Sequence, residues 1–150
     1  MKTIGVFIHK ARAYVPTVAR LETGLYQQIA PVHTANLTVD ELTEALEQAV
    51  AAGHPRLPLF SEEELKRYRN PLLKAAGVRS MKALIECGAS YTIEWAGDAV
   101  MLYLSARDKK GQFIYGPEIR FPLDSSVRPI AKAILEDVSK HPEALDNPQD

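Results

Sequence analysis

The chain has 150 residues, a net charge of −1 and a single cysteine, Cys87. This length is typical of one domain and is long enough to bury a core without cross-links. A single cysteine excludes an internal disulfide, the charge gives no basic bias towards nucleic acid, and no apolar run approaches the roughly 20 residues that span a bilayer. We therefore expect one domain over residues 1–140, a cytoplasmic location, no membrane partner, and a frayed tail over residues 141–150.

The first half begins with strand patterns. Apolar residues alternate over residues 4–8, which is the period of a strand with one buried face. Two further strand-like runs follow at residues 13–20 and 25–32, interrupted by Pro16 and Pro31. Because proline lacks the N–H that a strand ladder needs, both positions are expected at an edge or a bulge. The pattern predicts a three-stranded meander.

A helix signal follows this meander. Thr38 can accept a hydrogen bond from the N–H of Glu41, and the Glu41 carboxylate can reach back towards the chain before the helix. Gly53 supplies the stop signal. These residues predict a helix over residues 39–52.

The second half repeats the order of strands followed by a helix. Gly97 and Asp98 form a two-residue hairpin turn between two alternating runs. A third strand is predicted over residues 112–121, and Gly116 followed by proline predicts a bulge in it. A helix with Pro129 in its first turn comes next.

A polar connector joins the halves, and Ser61, Asn70 and Ser80 are expected to cap short helices in it, the last ending at Gly88. The predicted fold class is α+β: two mainly antiparallel three-stranded β-meanders, each followed by a helix, with a helical connector between them. This doubled arrangement is similar to that of Whirly-type single-stranded nucleic-acid binders.

No catalytic or metal-binding pattern is found in the sequence. Cys87 falls near a predicted helix C-terminus, where the helix dipole disfavours a thiolate, so we expect a buried structural cysteine. The four histidines lack i, i+4 spacing, and there is no phosphate-binding glycine loop and no Gly-x-Ser-x-Gly motif. The sequence therefore predicts no enzyme, no metal and no cofactor.

One charge pattern stands out in the first half. Every charged residue between positions 21 and 55 is acidic, and helical spacing places Asp40, Glu44 and Glu47 on the face opposite Leu42 and Leu46. The ordinary interpretation is a solvated face whose acids complement the helix dipole, and the functional one is an anionic surface for a basic partner. The predicted partner-binding residues are Asp40, Glu41, Glu44, Glu47 and, on the second hairpin, Asp98.

The segment from Lys109 to Tyr115 places aromatic residues beside a basic turn, as single-stranded RNA binders do. However, Gln112 stands where the RNA-binding strand motif has an aromatic residue. Phe113 and Tyr115 alternate as core residues would, so we assign them to the core.

Two stretches carry a family resemblance, KTIGVFIHKARAYVPT (residues 2–17) and LKAAGVRSMKALIECGASYTIEW (residues 73–95). Read together, they resemble the immunity proteins of bacterial contact-dependent growth inhibition systems, and the likeness extends from residue 2 to about residue 138. The resemblance implies a cytoplasmic protein without catalytic activity that binds the C-terminal toxin domain of a large exoprotein, often a nuclease, and covers its active site. We expect an RNase toxin as partner, and a single-stranded nucleic-acid-binding module is the alternative.

Overall fold

The computed structural model describes residues 2–145. Six strands form one antiparallel sheet in the order β3-β2-β1-β5-β6-β7, and a short seventh strand, β4, pairs in parallel with β2. The strands are β1 (Lys2–His9), β2 (Arg12–Leu21), β3 (Tyr26–Asn36), β4 (Arg56–Leu57), β5 (Gly88–Ala96), β6 (Ala99–Arg107) and β7 (Phe113–Pro122). The predicted α+β class with two three-stranded meanders is confirmed.

The meanders are joined edge to edge. β1 and β5 pair along their whole length, from Lys2 opposite Trp95 to His9 opposite Gly88. Each meander therefore loses one edge, and the protein has a single continuous sheet where the sequence indicated only two separate units.

Both irregularities expected from proline and glycine are present. The β2–β3 register shifts between Pro16 and Thr17. Between β6 and β7, Tyr103 lies opposite Glu118 while Ser105 lies opposite Tyr115, so two residues of β7 face one of β6. The extra residue falls at Gly116, which confirms the bulge there.

Helices cover the two faces of the sheet unequally. They are α1 (Val39–Ala52), α2 (Glu62–Arg67), α3 (Pro71–Ala76), α4 (Met81–Glu86), α5 (Arg128–Val138) and α6 (Pro142–Leu145). On one face, α1, α5 and α6 enclose the main core with side chains such as Val15, Leu46 and Ile134. On the other face, α3 and α4 place Leu72 and Leu84 against Tyr14 of β2. β2 is thus buried on both sides.

The boundaries of α1 are those predicted, and its cap is the predicted one. The Glu41 N–H donates to the Thr38 Oγ1 at 3.2 Å, and Gly53 ends the helix with a φ of 63°, a conformation that glycine adopts without strain.

The expected fraying of residues 141–150 is wrong for residues 141–145, and residues 146–150 lie outside the described part of the chain. Ala144 is fully buried in α6, and its carbonyl accepts a hydrogen bond from the Ala11 N–H at 2.9 Å. Leu145 also packs against the main core, so two apolar side chains and one backbone bond dock this short helix. The domain therefore extends past residue 140, to Leu145 at least.

None of the helices within residues 2–145 is long and apolar enough to cross a bilayer.

Gly88 occupies the tightest point of the junction between the meanders. A Cβ at this position would lie 2.3 Å from the Ile8 carbonyl oxygen and 2.8 Å from that of Leu84. Both atoms belong to the backbone, so neither can rotate away. Arg107 reinforces the same junction, because its Nη2 donates to the carbonyl oxygens of Gly88 at 2.7 Å and Ile85 at 2.6 Å.

Gly88→Ala is expected to lower the free energy of unfolding by about 3 kcal/mol, because the new methyl group must push two backbone carbonyls apart. Gly5→Ala is the matched control on β1, since its Cβ would meet only the end of the Phe7 ring at 3.0 Å; a change within about 1 kcal/mol is expected there. Urea unfolding followed by the fluorescence of Trp95 measures both. Equal losses in the two variants would contradict the assigned role of Gly88.

Candidate functional site

The acidic residues of α1 lie on its outer surface, as the spacing predicted. Leu42 and Leu46 are fully buried against the sheet, whereas Asp40, Glu44 and Glu47 are exposed. The helix therefore presents three carboxylates to solvent along one side.

Two of the predicted α1 residues already have partners within the protein. The Arg128 Nη1 donates to the Asp40 Oδ1 at 2.7 Å, which ties α5 to the start of α1. The Glu41 carboxylate accepts hydrogen bonds from the backbone N–H and the side-chain amide of Asn36, both at 3.3 Å. Glu41 thus fixes the chain where it enters α1, and it does so through Asn36 rather than through the N-H of the cap residue.

Glu44 and Glu47 are the acids of α1 that keep their charge unpaired: within residues 2–145, no cation lies within ion-pair distance of either carboxylate. Two like charges one helical turn apart repel each other weakly, and a cationic group placed against them would relieve this repulsion. This pair is the strongest part of the predicted anionic surface.

Asp98 lies elsewhere on the molecule. It occupies the turn between β5 and β6, whereas α1 packs on β2 and β3, in the other half of the sheet. The Arg120 Nη2 donates to the Asp98 Oδ1 at 2.9 Å, and both side chains are mostly exposed. The structure therefore divides the predicted partner-binding residues between two separate surfaces.

An accessible surface lies on the second meander, at residues that the sequence pattern assigned to the core. On this face α3 packs on β2 and β3, and α4 packs on β1 and β5, whereas aromatic side chains of β6 and β7 beyond them remain at least partly accessible. Tyr115 is 59% exposed and contacts Tyr103 and Phe113 edge-on, with ring centroids 6.1 and 5.2 Å apart. We call these three residues the aromatic cluster.

The assignment of Phe113 and Tyr115 to the core is thus wrong. Their alternation does mark one face of a strand, but it is the face without a helix. The core side of β7 is formed by Ile119 and Phe121, which follow the bulge. The sequence did carry one indication that this face is open. The helices predicted in the connector are short, and they have too few turns to cover one face of six strands.

Two carboxylates lie beside Tyr103. Glu118 of β7 is directly opposite it, and Glu94 of β5, on the other side of β6, is opposite Met101 and therefore diagonal to Tyr103. Removal of water from around the ring, together with these two carboxylates, raises the pKa of Tyr103 above its usual value. The open face of the second meander is therefore aromatic with two carboxylates close to the rings, and Arg120, opposite Met101, lies on the same side of the sheet.

A buried polar network lies on the opposite face, beneath α6. The Tyr91 hydroxyl donates to the Asp137 Oδ2 at 2.8 Å, and the His141 Nε2 lies 3.1 Å from the same oxygen. Burial, with the hydrogen bond to Asp137, raises the pKa of Tyr91 far above its usual value. Since Tyr91 and Asp137 are both buried, the network fastens α5 and α6 to β5 and presents no reactive group at the surface.

The remaining candidates for chemistry are Cys87 and His9. Cys87 is exposed, so the expected burial is wrong. Cys87 lies just after α4, which ends at Glu86, and the buried residue of that helix is Leu84. His9 is buried next to it, where burial and then the nearby charge of Lys10 lower its pKa, while a hydrogen bond with the Cys87 backbone raises it. No group of three potential metal ligands is present within residues 2–145.

The fold is similar to those of solved structures. One is a chain of the CdiA-CT/CdiI toxin and immunity complex from Yersinia pseudotuberculosis, with 16% identity, a TM-score of 0.59, and coverage of 93% of this chain and 96% of that one. Another is a protein of unknown function from Neisseria meningitidis, with 18% identity, a TM-score of 0.57, and coverage of 93% and 94%. At these identities the similarity establishes the fold.

No protein-family model matches the sequence, and no curated protein matches it.

The different roles of the α1 acids can be separated by single substitutions. Glu41→Ala is expected to lower the free energy of unfolding by about 1 kcal/mol, because two donors of Asn36 lose their acceptor. Glu47→Ala should change it by less than about 0.5 kcal/mol. Urea denaturation of both variants is the measurement, and a cost for Glu47→Ala equal to that for Glu41→Ala would show that Glu47 is structural as well.

Proposed function

We propose that the protein is an immunity protein, which binds the cognate toxin domain of a contact-dependent growth inhibition system and neutralises it by covering its active site. The observation that carries the proposal is the fold similarity to a chain of a toxin and immunity complex over nearly the whole length of both chains. The resemblance of residues 2–17 and 73–95 to such immunity proteins is a second support. In this role the protein acts in the cytoplasm, by stoichiometric binding and without catalysis of its own.

The toxin is proposed to be an RNase. A nuclease presents cationic groups to hold phosphates, and an inhibitor that covers them is favoured by carboxylates at the contact. The unpaired acids of α1 meet this requirement.

Within the contact, Glu44 and Glu47 are proposed to face the cations of the toxin. Asp40 contributes its exposed carboxylate beside Arg128, and Glu41 holds the start of the helix in place. Asp98, in the turn between β5 and β6, contributes to the same complex only if the toxin reaches across the sheet.

The double reversal Glu44→Lys with Glu47→Lys is expected to slow association with the toxin domain roughly tenfold at low salt and to flatten its dependence on salt, because electrostatic steering is lost. Asp40 is left unchanged so that its ion pair with Arg128 survives. Stopped-flow association rates at several salt concentrations, together with inhibition of RNA cleavage by the toxin, are the measurements.

The matched control reverses Glu62 and Glu63 on α2, which are equally exposed and leave the capping residue Glu64 intact. This control should associate with the toxin at nearly the rate of the unaltered protein. Identical rates for both double variants would exclude α1 from the contact, whereas failure of the unaltered protein to bind the toxin domain would refute the immunity function itself.

A second candidate function, binding of single-stranded nucleic acid, is favoured by the aromatic cluster and the neighbouring Lys109 and Lys110. Exposed aromatic rings on a sheet are the platform on which bases stack. The carboxylates of Glu94 and Glu118 act against this function, because they repel the phosphates that stacked bases would bring with them.

Single-stranded RNA is therefore expected to bind no more tightly than about 10⁻⁴ M at physiological salt, the weak end of nonspecific binding. Fluorescence anisotropy with a labelled oligonucleotide measures this, with Tyr103→Ala/Tyr115→Ala as the comparison. Micromolar binding that this double variant abolishes would replace the immunity function with nucleic-acid binding.

A further inference from the structure

Two arginines lie side by side where β4 pairs with β2. β4 runs parallel to β2 and places Arg56 directly opposite Arg20. Neighbouring strands are only about 4.8 Å apart, and side chains opposite each other point to the same side. Two like charges in this arrangement destabilise the pairing unless something of opposite charge lies between them.

The backbone holds the two arginines in this register. The Arg20 N–H donates to the Pro55 carbonyl oxygen at 2.8 Å. His54 adds a second tie: its Nε2 accepts from the Thr3 N–H at 3.1 Å, so its Nδ1 carries the proton and donates to the Val18 carbonyl oxygen at 2.7 Å. The segment that carries Arg56 is therefore attached to both β1 and β2, and the arginines cannot separate by a backbone shift.

Neither guanidinium is neutralised within the protein. Among residues 2–145, no carboxylate lies within ion-pair distance of Arg20 or Arg56, and neither side chain makes a hydrogen bond. Both line an open cavity of about 580 Å³, together with Leu21, Glu22, Gly24, Leu57 and Pro58. Glu22 supplies the one negative charge of this lining, so the cavity keeps a net positive charge.

We propose that this cavity binds a phosphate monoester, with Arg20 and Arg56 donating to its oxygens. Guanidinium groups are planar forks that match such oxygens with two parallel hydrogen bonds each. A phosphate monoester offers three terminal oxygens, so it can accept from both guanidinium groups at once, and its charge of about −1.5 to −2 near pH 7 attracts them more strongly than the single charge of a carboxylate. Leu57 and Pro58 provide an apolar wall for the organic part of the ester. The site is independent of the proposed toxin contacts.

The test uses inorganic phosphate, phenyl phosphate and benzoate as probes at constant ionic strength, with NMR signals of the arginine side chains as the readout. Saturable shifts at Arg20 and Arg56 are expected with both phosphates, and tighter binding is expected for phenyl phosphate. Benzoate has the same ring and a single charge, so binding of benzoate as tight as that of phenyl phosphate would overturn the assignment to a phosphate.

Substitutions locate the site. Arg20→Gln and Arg56→Gln should each weaken phenyl phosphate binding roughly tenfold or more, because each removes charged hydrogen bonds. Arg67→Gln, at an exposed position of α2, is the matched control and should leave binding unchanged. Glu22→Gln should tighten binding, since it removes the competing negative charge. Absence of saturable binding, or equal weakening by Arg67→Gln, would refute the site.

Discussion

The pairing of β1 with β5 is the contact on which the rest of the structure depends. It merges two three-stranded meanders into one sheet, and a single core covers one face of that sheet. It also places α1 and α5 on the same face, where Arg128 can reach Asp40. The close approach of backbones at Gly88 is the condition for this pairing, because any side chain there would meet the Ile8 carbonyl.

The pairing of β1 with β5 also explains why the two faces of the sheet differ. Helices that follow the meanders can pack beside each other on one face, whereas the other face is served only by the short helices of the connector. α3 packs on β2 and β3, α4 packs on β1 and β5, and together they seal β2. The second meander keeps an accessible face, and the aromatic cluster lies on it. The molecule therefore presents two unlike surfaces: carboxylates on a helix, and aromatic rings on a sheet.

Local signals allowed much of this architecture to be predicted. Thr38 and Gly53 fixed both ends of α1, the Gly97-Asp98 turn fixed the β5–β6 hairpin, and Gly116 marked the bulge.

Contacts between residues distant in the sequence could not be predicted from it. The partner of Asp40 is 88 residues away in the sequence. The alternating pattern that includes Phe113 is the same whether or not a helix covers that face of the strand. Ala144 is held by burial in the core and by a backbone hydrogen bond from Ala11, and composition reveals neither contact. Of the candidate site, exposure of the α1 acids was predictable from helical period, and the ion pairs that occupy Asp40 and Asp98 were not.

The contrast between β2 and the second meander has a consequence for how this protein can change over generations. A substitution on β2 must satisfy packing on two sides at once, so few replacements are tolerated there. At exposed positions on the open side of β6 and β7, such as Tyr115, a side chain packs against no core, and a new residue can appear without loss of the fold. If a partner changes its surface, this half of the sheet can follow it one substitution at a time, while β1, β2 and β5 hold the scaffold constant.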